Sequence, residues 1–305
     1  MRKSETVARA APRLSVFQMV MIGLPFVWVG LFVALPFLIA IKVSVALPAQ
    51  EQPPFTHFTP AGAFVLNLAG SYGRILSDGL YASSYLQALK LAGLSSLICL
   101  VVGYPLAYGI ARSRPALRPA LLLLVMLPFW TSFLIRIYAW MALLKANGII
   151  NGFLIWARAV DSPLTLMNTP FAVYLVMVYI YLPFMVLPLY AALEKLDPAL
   201  LEAASDLGCK PLKAFFLITV PLSLQGAAAG LLLVFIPAVG EYVIPELMGG
   251  PSAQVIGRTL FAEFFANRDW PAAAAIGVVA LLLLAIPIII MQRLDERQSA
   301  RAASA

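Results

Sequence analysis

Six separate stretches of this chain are each long and apolar enough to cross a lipid bilayer, and no other feature constrains the fold as tightly. Spanning the hydrocarbon takes about 20 mostly apolar residues, because every lipid-exposed backbone group must find its hydrogen-bond partner within the helix. The stretches fall at 17–45, 84–111, 117–141, 170–193, 222–245 and 271–292. Of the 305 residues, 62% are hydrophobic and 11% are charged, against about 25% charged in a soluble domain. A soluble fold could not cover so much apolar surface. The expectation is one all-α membrane domain over 17–292, flanked by short polar segments at 1–16 and 293–305.

Charge placement sets the orientation. Lys and Arg in short loops collect on the cytoplasmic side. With six crossings, one side receives Arg2, Lys3, Arg9, Arg13, then Arg112, Arg114, Arg118, then Lys195, Lys210, Lys213, then Arg293, Arg297, Arg301. The other side holds fewer, Arg74, Lys145, Arg158, Arg258 and Arg268, with Lys42 and Lys90 near helix ends, and carries Trp130, Tyr138, Trp140 and Trp156 as an aromatic belt. Both termini are therefore expected in the cytoplasm. The net charge of +7 does not point to nucleic acid, because the basic residues are scattered between apolar spans and form no single face. The basic start resembles the opening of a secretory signal, but the apolar run 17–41 is about twice the length of a signal core. An uncleaved first helix is expected. Arg136 interrupts the third stretch after Pro128, so this helix is expected to leave the membrane early and continue along its surface.

Two small-residue positions, Gly226 and Gly230, form a small-xxx-small face in the fifth stretch. Such a face lets helices approach closely. It suits either a partner subunit or internal packing. Prolines at 25, 36, 105, 183, 188 and 237 kink several spans, and kinked helices persist in lipid where neighbours or water recover the freed backbone groups.

The polar loop 194–221 is the most informative segment. Asp197 is suited to cap a helix and Pro198 to open it, while Gly208 can supply a left-handed stop and Pro211 prevents continuation. Leu200, Leu201, Ala204 and Leu207 share one stripe of this helix, with Glu202, Ser205 and Asp206 off it. A helix so short is marginal alone in water and must dock on something. It rests either on its own bundle or on a separate protein. A second short helix is expected from Pro211 to Val220, divided from the fifth span by Pro221.

The run Glu202-Ala203-Ala204, then Gly208, then Ile218 and Pro221 resembles the EAA loop of ABC-importer permeases. Four longer stretches, 129–140, 181–188, 235–250 and 264–271, resemble the polyamine branch of that family, and within it the putrescine permeases. The resemblance covers about residues 15–295 and implies a type I importer permease fold in the bacterial inner membrane. It implies that Glu202, Ala203, Ala204, Asp206, Leu207 and Gly208 couple the chain to a separate ATPase. Its other implied partners are a second homologous permease subunit, a pair of ATPase subunits and a periplasmic polyamine-binding protein. Cys209 stands where the family more often has Ala or Ser. This chain contains no G-x-x-x-x-G-K-[ST] phosphate loop, so it is expected to be no enzyme and to bind no cofactor, with ATP and Mg on the partner ATPase.

A diamine is a flexible dication, and its path needs carboxylates and aromatic faces. Glu241, Tyr242 and Glu246 cluster in a segment interrupted by Pro237 and Gly240. Glu241 and Tyr242 are expected at an outer gate with Glu246 nearer the mouth; Glu241 could equally be a structural acid paired with Arg136. Asn267, Arg268, Asp269 and Trp270 suit contact with a binding protein or loop stabilisation. His57, the sole histidine, offers no two-histidine metal site, and none is expected. The rival reading, an ion-coupled secondary transporter, would show inverted repeats, and none is evident in the sequence.

Overall fold

The computed structural model describes residues 15–50, 52–56, 68–251 and 253–304; the basic residues Arg2, Lys3, Arg9 and Arg13, and His57, lie outside them. Among the described residues the chain is helical apart from turns, loops and one isolated antiparallel bridge between Pro48 and Phe55. Six segments are long and apolar enough to cross a membrane.

The first span runs from Val16 through a π turn at Gly30–Ala34 to Ser44, opened by a Ser15–Gln18 capping box. Its side chains are almost all exposed in the single chain, and only its Leu35–Ser44 half packs on the last helix. The second span, Gly79–Arg112, starts five residues before the expected position because the Asp78 carboxylate accepts the Leu80 N–H at 2.9 Å. The fourth, Pro170–Glu194, is the centre of the bundle, with Val176, Met177, Met185, Val186 and Leu189 fully buried. Lipid tails are as apolar as leucine, so these helices associate by close packing and a few polar contacts. Small residues supply the closeness: Ala88, Ala92, Ser95 and Ala107 on the second span face inward. Tyr104 pairs with Ser223 at 2.7 Å and the Tyr85 hydroxyl donates to the Ile276 carbonyl at 2.7 Å, tying the second span to the fifth and sixth.

The third stretch differs from expectation. It forms a shorter apolar piece, Arg118–Met126 with a 3-10 turn at Leu127–Trp130, and then Phe133–Leu144, the first part of the segment Phe133–Trp156 that is long and apolar enough to cross. The break lies at Thr131 and Ser132, not at Arg136. Pro128 removes an N–H from the ladder, and the Thr131 hydroxyl donates to the Pro128 carbonyl at 2.8 Å instead. Both pieces run antiparallel to the fourth span. Arg118 meets Glu194 at 3.3 Å, Phe129 stacks edge-on against Phe184, and Trp140 against Tyr179. After Leu144 a turn leads into the helix Ile149–Trp156. Gly148 permits that turn, since a Cβ there would collide with the Leu143 carbonyl oxygen.

Asn151 locks the turn. Fully buried, it donates to the carbonyls of Lys145 (3.1 Å) and Leu164 (3.0 Å) and accepts the Leu164 N–H at 2.8 Å. Asn151→Ala leaves the Leu164 N–H unpaired, while the Lys145 and Leu164 carbonyls keep the N–H groups of Gly148 and Leu166, and is expected to cost about 1–3 kcal/mol. Thermal unfolding of the detergent-solubilised protein checks it, and an unshifted midpoint would contradict the assignment.

The fifth span also departs from expectation, running from Pro211 to Val239 rather than over 222–245. No separate second helix precedes it. A π turn at Phe215–Thr219 bridges Pro211–Ala214 to Val220–Val239. The extra residue of a π turn interrupts the i to i+4 ladder, and Pro221, which has no N–H to contribute, is tolerated beside it. The span stops at Gly240, so Glu241, Tyr242 and Glu246 lie beyond it in a turn and a short helix, Val243–Met248. The last helix, Trp270–Ser304, carries the sixth crossing and continues past it.

Gly226 and Gly230 face the fourth span of the same chain. A Cβ on Gly226 would lie 2.5 Å from the Ala192 Cβ and 2.7 Å from the Pro188 carbonyl oxygen; one on Gly230 would lie 2.7 Å from the Met185 sulfur. The small-residue face is therefore internal packing and is occupied within this chain.

Candidate functional site

Two regions gather the residues singled out above, one at each end of the bundle. At the end that carries Arg118 and Glu194, the chain leaves the fourth span and forms the helix Ala199–Asp206. The Asp197 carboxylate accepts the Ala199 N–H at 3.0 Å, and Gly208 takes φ +77°, the left-handed conformation that glycine adopts without a Cβ penalty. The Cys209 N–H reaches back to the Ala204 carbonyl at 2.9 Å and closes the end.

Only Ala204 of this helix is buried. Leu201 and Ser205 border a cleft of about 140 Å³ against Tyr108 and Phe215. Glu202, Ala203, Asp206, Leu207 and Gly208 all face outward, and Leu207 is 89% exposed. The expected apolar stripe is thus split. Leu201 and Ala204 turn inward, while Leu200, Leu207 and Leu212 stand in the open.

At the opposite end lies a cavity of about 660 Å³ bordered by Tyr242, Glu246, Arg258, Phe261, Glu263 and Asn267. Tyr242 stacks on Phe261 with ring centres 4.6 Å apart. Glu246 forms an ion pair with Arg258, whose guanidinium also donates to the carbonyls of Gly250 and Ala253. Glu263 accepts from the Tyr81 hydroxyl and from the Asn267 amide, both at 2.9 Å. Among the described residues no cation lies in ion-pair range of Glu263, so its charge is uncompensated. A carboxylate beside an aromatic platform suits an ammonium group, by charge and by cation–π attraction.

Glu263 was not singled out from the sequence. The signal was an acid inside an aromatic run, Phe261-Ala262-Glu263-Phe264-Phe265, in a segment too polar to read as a span. Glu241 stands apart from this cavity. Its carboxylate accepts the Tyr181 hydroxyl at 2.8 Å and the N–H groups of Val243 and Ile244 at 3.0 and 3.3 Å. It caps the short helix and is not the ion-pair partner of Arg136, because its oxygens are already committed to Tyr181 and to the backbone. Asp269 pairs with Arg74 at 3.1 Å and caps the last helix through Ala272, and Trp270 stacks on Phe264 at 4.7 Å.

The comparisons with known proteins agree with this architecture. Residues 100–300 match the family model described as the binding-protein-dependent transport system inner membrane component. The spermidine/putrescine transport system permease PotB of Salmonella typhimurium is 40% identical over 279 residues, 92% of this chain and 94% of that protein. The Escherichia coli PotB is 41% identical over 266 residues, 87% and 93% of the two chains. Among solved structures, a bacterial ABC transporter that imports the acidic polysaccharide alginate superposes with a TM-score of 0.65 at 20% identity, covering 91% of this chain and 95% of that one. At that identity the likeness shows the fold alone. Six crossings, the internal packing of the fourth and fifth spans and near full-length likeness converge: this chain belongs to the binding-protein-dependent inner-membrane permeases of ABC importers, in the branch that holds the spermidine/putrescine permeases.

Proposed function

We propose that this chain is one of two membrane-spanning subunits of an ATP-driven polyamine importer, with putrescine as its principal cargo. The observation that carries the reading is likeness to spermidine/putrescine permeases across 92% of the chain. The outer cavity supports the cargo class. Glu263 holds one ammonium, the Tyr242–Phe261 stack packs the methylene chain and the second ammonium of the dication, and Glu246 lends a carboxylate tempered by Arg258. Glu241 sets the angle of the helix that presents Tyr242 and Glu246.

The exposed helix Ala199–Asp206 supports coupling to a separate ATPase. An isolated amphipathic helix with leucines in the open needs an apolar cleft on another protein. Leu207 and Leu212 enter that cleft, Ala203 permits close approach, and Glu202 and Asp206 meet basic residues. Gly208 and Asp197 hold the helix at a fixed angle to the spans, so closure of an ATPase pair moves them. ATP and Mg belong to that pair, and a periplasmic polyamine-binding protein delivers the cargo to the outer end.

Reconstitution with the second permease, the ATPase and the binding protein tests the reading. Labelled putrescine is expected to accumulate with ATP, and more efficiently than spermidine. Transport of a metal chelate or another amine in place of both would overturn the cargo assignment. Glu202→Lys is expected to reduce the retained ATPase by about tenfold, the loss typical of one charge partner at a desolvated contact. Undiminished ATPase retention and uptake would overturn the coupling assignment.

A further inference from the structure

Arg136 is the one described charged side chain that is more than nine-tenths buried, at 8% exposed. Its Nε and Nη1 atoms are buried without a hydrogen-bond partner. It lies in the helix Phe133–Leu144, at the start of a segment long and apolar enough to cross a membrane. An uncompensated buried charge is costly by several kcal/mol.

The side chain borders a cavity of about 430 Å³ whose other walls are apolar apart from Tyr181; among them are Phe129, Phe133, Phe184, Leu233 and Pro237. The guanidinium carbon sits 5.1 Å from the Phe129 ring centre and 5.9 Å from that of Phe133. The two rings lie against the guanidinium, whose planar fork matches a carboxylate. Among the described residues no acceptor meets its Nε or Nη1. Glu241, bonded to Tyr181 on the cavity wall, is spent on Tyr181, Val243 and Ile244. Leu233, on the cavity wall, is 50% exposed, and Leu134 and Ile135, beside Arg136 in the sequence, are exposed as well.

We infer that this cavity receives a carboxylate side chain from the second permease subunit, which forms a buried ion pair with Arg136 and fixes the register of the two subunits. Charge complementarity selects the occupant. Lipid tails offer no acceptor. The inference rests on the two-permease reading above, and it names the contact that holds the pair. A bidentate pair shielded from water by Phe129, Phe133 and Phe184 would also keep the positive charge from repelling a cationic cargo.

The test uses the whole solubilised importer, purified through a tag on this chain. Arg136→Met keeps the volume and removes the charge. The second permease retained per tagged chain is expected to fall by about tenfold or more, while the membrane level of the tagged chain holds. Arg136→Glu is expected to lose the second permease as well, and to regain it when one Asp or Glu in the membrane segments of that subunit is changed to Arg. An unchanged subunit ratio in Arg136→Met overturns the inference, as does a loss that only follows reduced levels of the tagged chain, or Arg136→Glu with no rescuing substitution. An anionic lipid retained by the wild type and lost in Arg136→Met, at unchanged subunit ratio, overturns it in favour of a lipid phosphate. A wild-type chain that retains no second permease overturns the two-permease reading itself.

Discussion

Gly226→Val is expected to deplete the folded protein from the membrane. The position faces Ala192 and the Pro188 carbonyl so closely that a bare Cβ would lie 2.5 Å and 2.7 Å from them, and both obstacles are rigid. Neither can swing aside as a long side chain would. The fifth span must then separate from the fourth by a fraction of an ångström along much of their contact, and the Tyr104–Ser223 bond at 2.7 Å stretches with it. Overpacking of this kind costs about 3 kcal/mol, a large share of a total stability of about 5–15 kcal/mol. The unfolding midpoint should drop by roughly 6 °C or more. Gly109→Ala is the matched control, since a Cβ there meets nothing within 4 Å, and it should leave the midpoint unchanged or raise it slightly. Equal behaviour of the two variants would refute close packing as the role of Gly226.

Glu263→Gln should raise the KM for polyamine uptake at least about tenfold while the importer assembles normally. The amide keeps the volume and an oxygen to accept the Tyr81 hydroxyl, and Asn267 can rotate its own amide to match. What is lost is the charge. In a partly desolvated cavity one ammonium–carboxylate contact is worth about 1.5–3 kcal/mol, which corresponds to at least a tenfold change. Glu246 should not substitute for it, because Arg258 already holds that carboxylate. Uptake with wild-type KM in an intact complex would remove Glu263 from the cargo path.

The crossings were legible because lipid forces a one-to-one link between an apolar run and a helix. The loop 194–221 was legible at its ends for a related reason. Asp197 and Gly208 act through bonds to residues at most four positions away, and the structure places the cap and the left-handed turn at those residues. Its second half was misread because a π turn has no distinct composition. Pro221 looks like a break until the ladder around it is seen to shift register.

The outer end was legible only in part. The Glu241 carboxylate, an acid near membrane depth, reads as a pathway group or an ion-pair partner. Which groups it meets depends on Tyr181, 60 residues away in the chain. Glu263 escaped notice for the converse reason, since its environment is assembled from Tyr81, Tyr242, Glu246 and Phe261, on different helices.

By itself, the sequence determined that the chain resides in a membrane, how many times it crosses, and where its short loop helix begins and ends. All three follow from local hydrogen bonding and hydrophobicity, which act over a few residues. Only the tertiary structure decided that Gly226 and Gly230 are spent on the fourth span, that Glu241 caps a helix, and that, among the described residues, Glu263 has no ion-pair partner and the buried Nε and Nη1 of Arg136 find no acceptor. Each of these is a matter of which distant atoms come within a few ångströms, and residue order alone does not carry that distance.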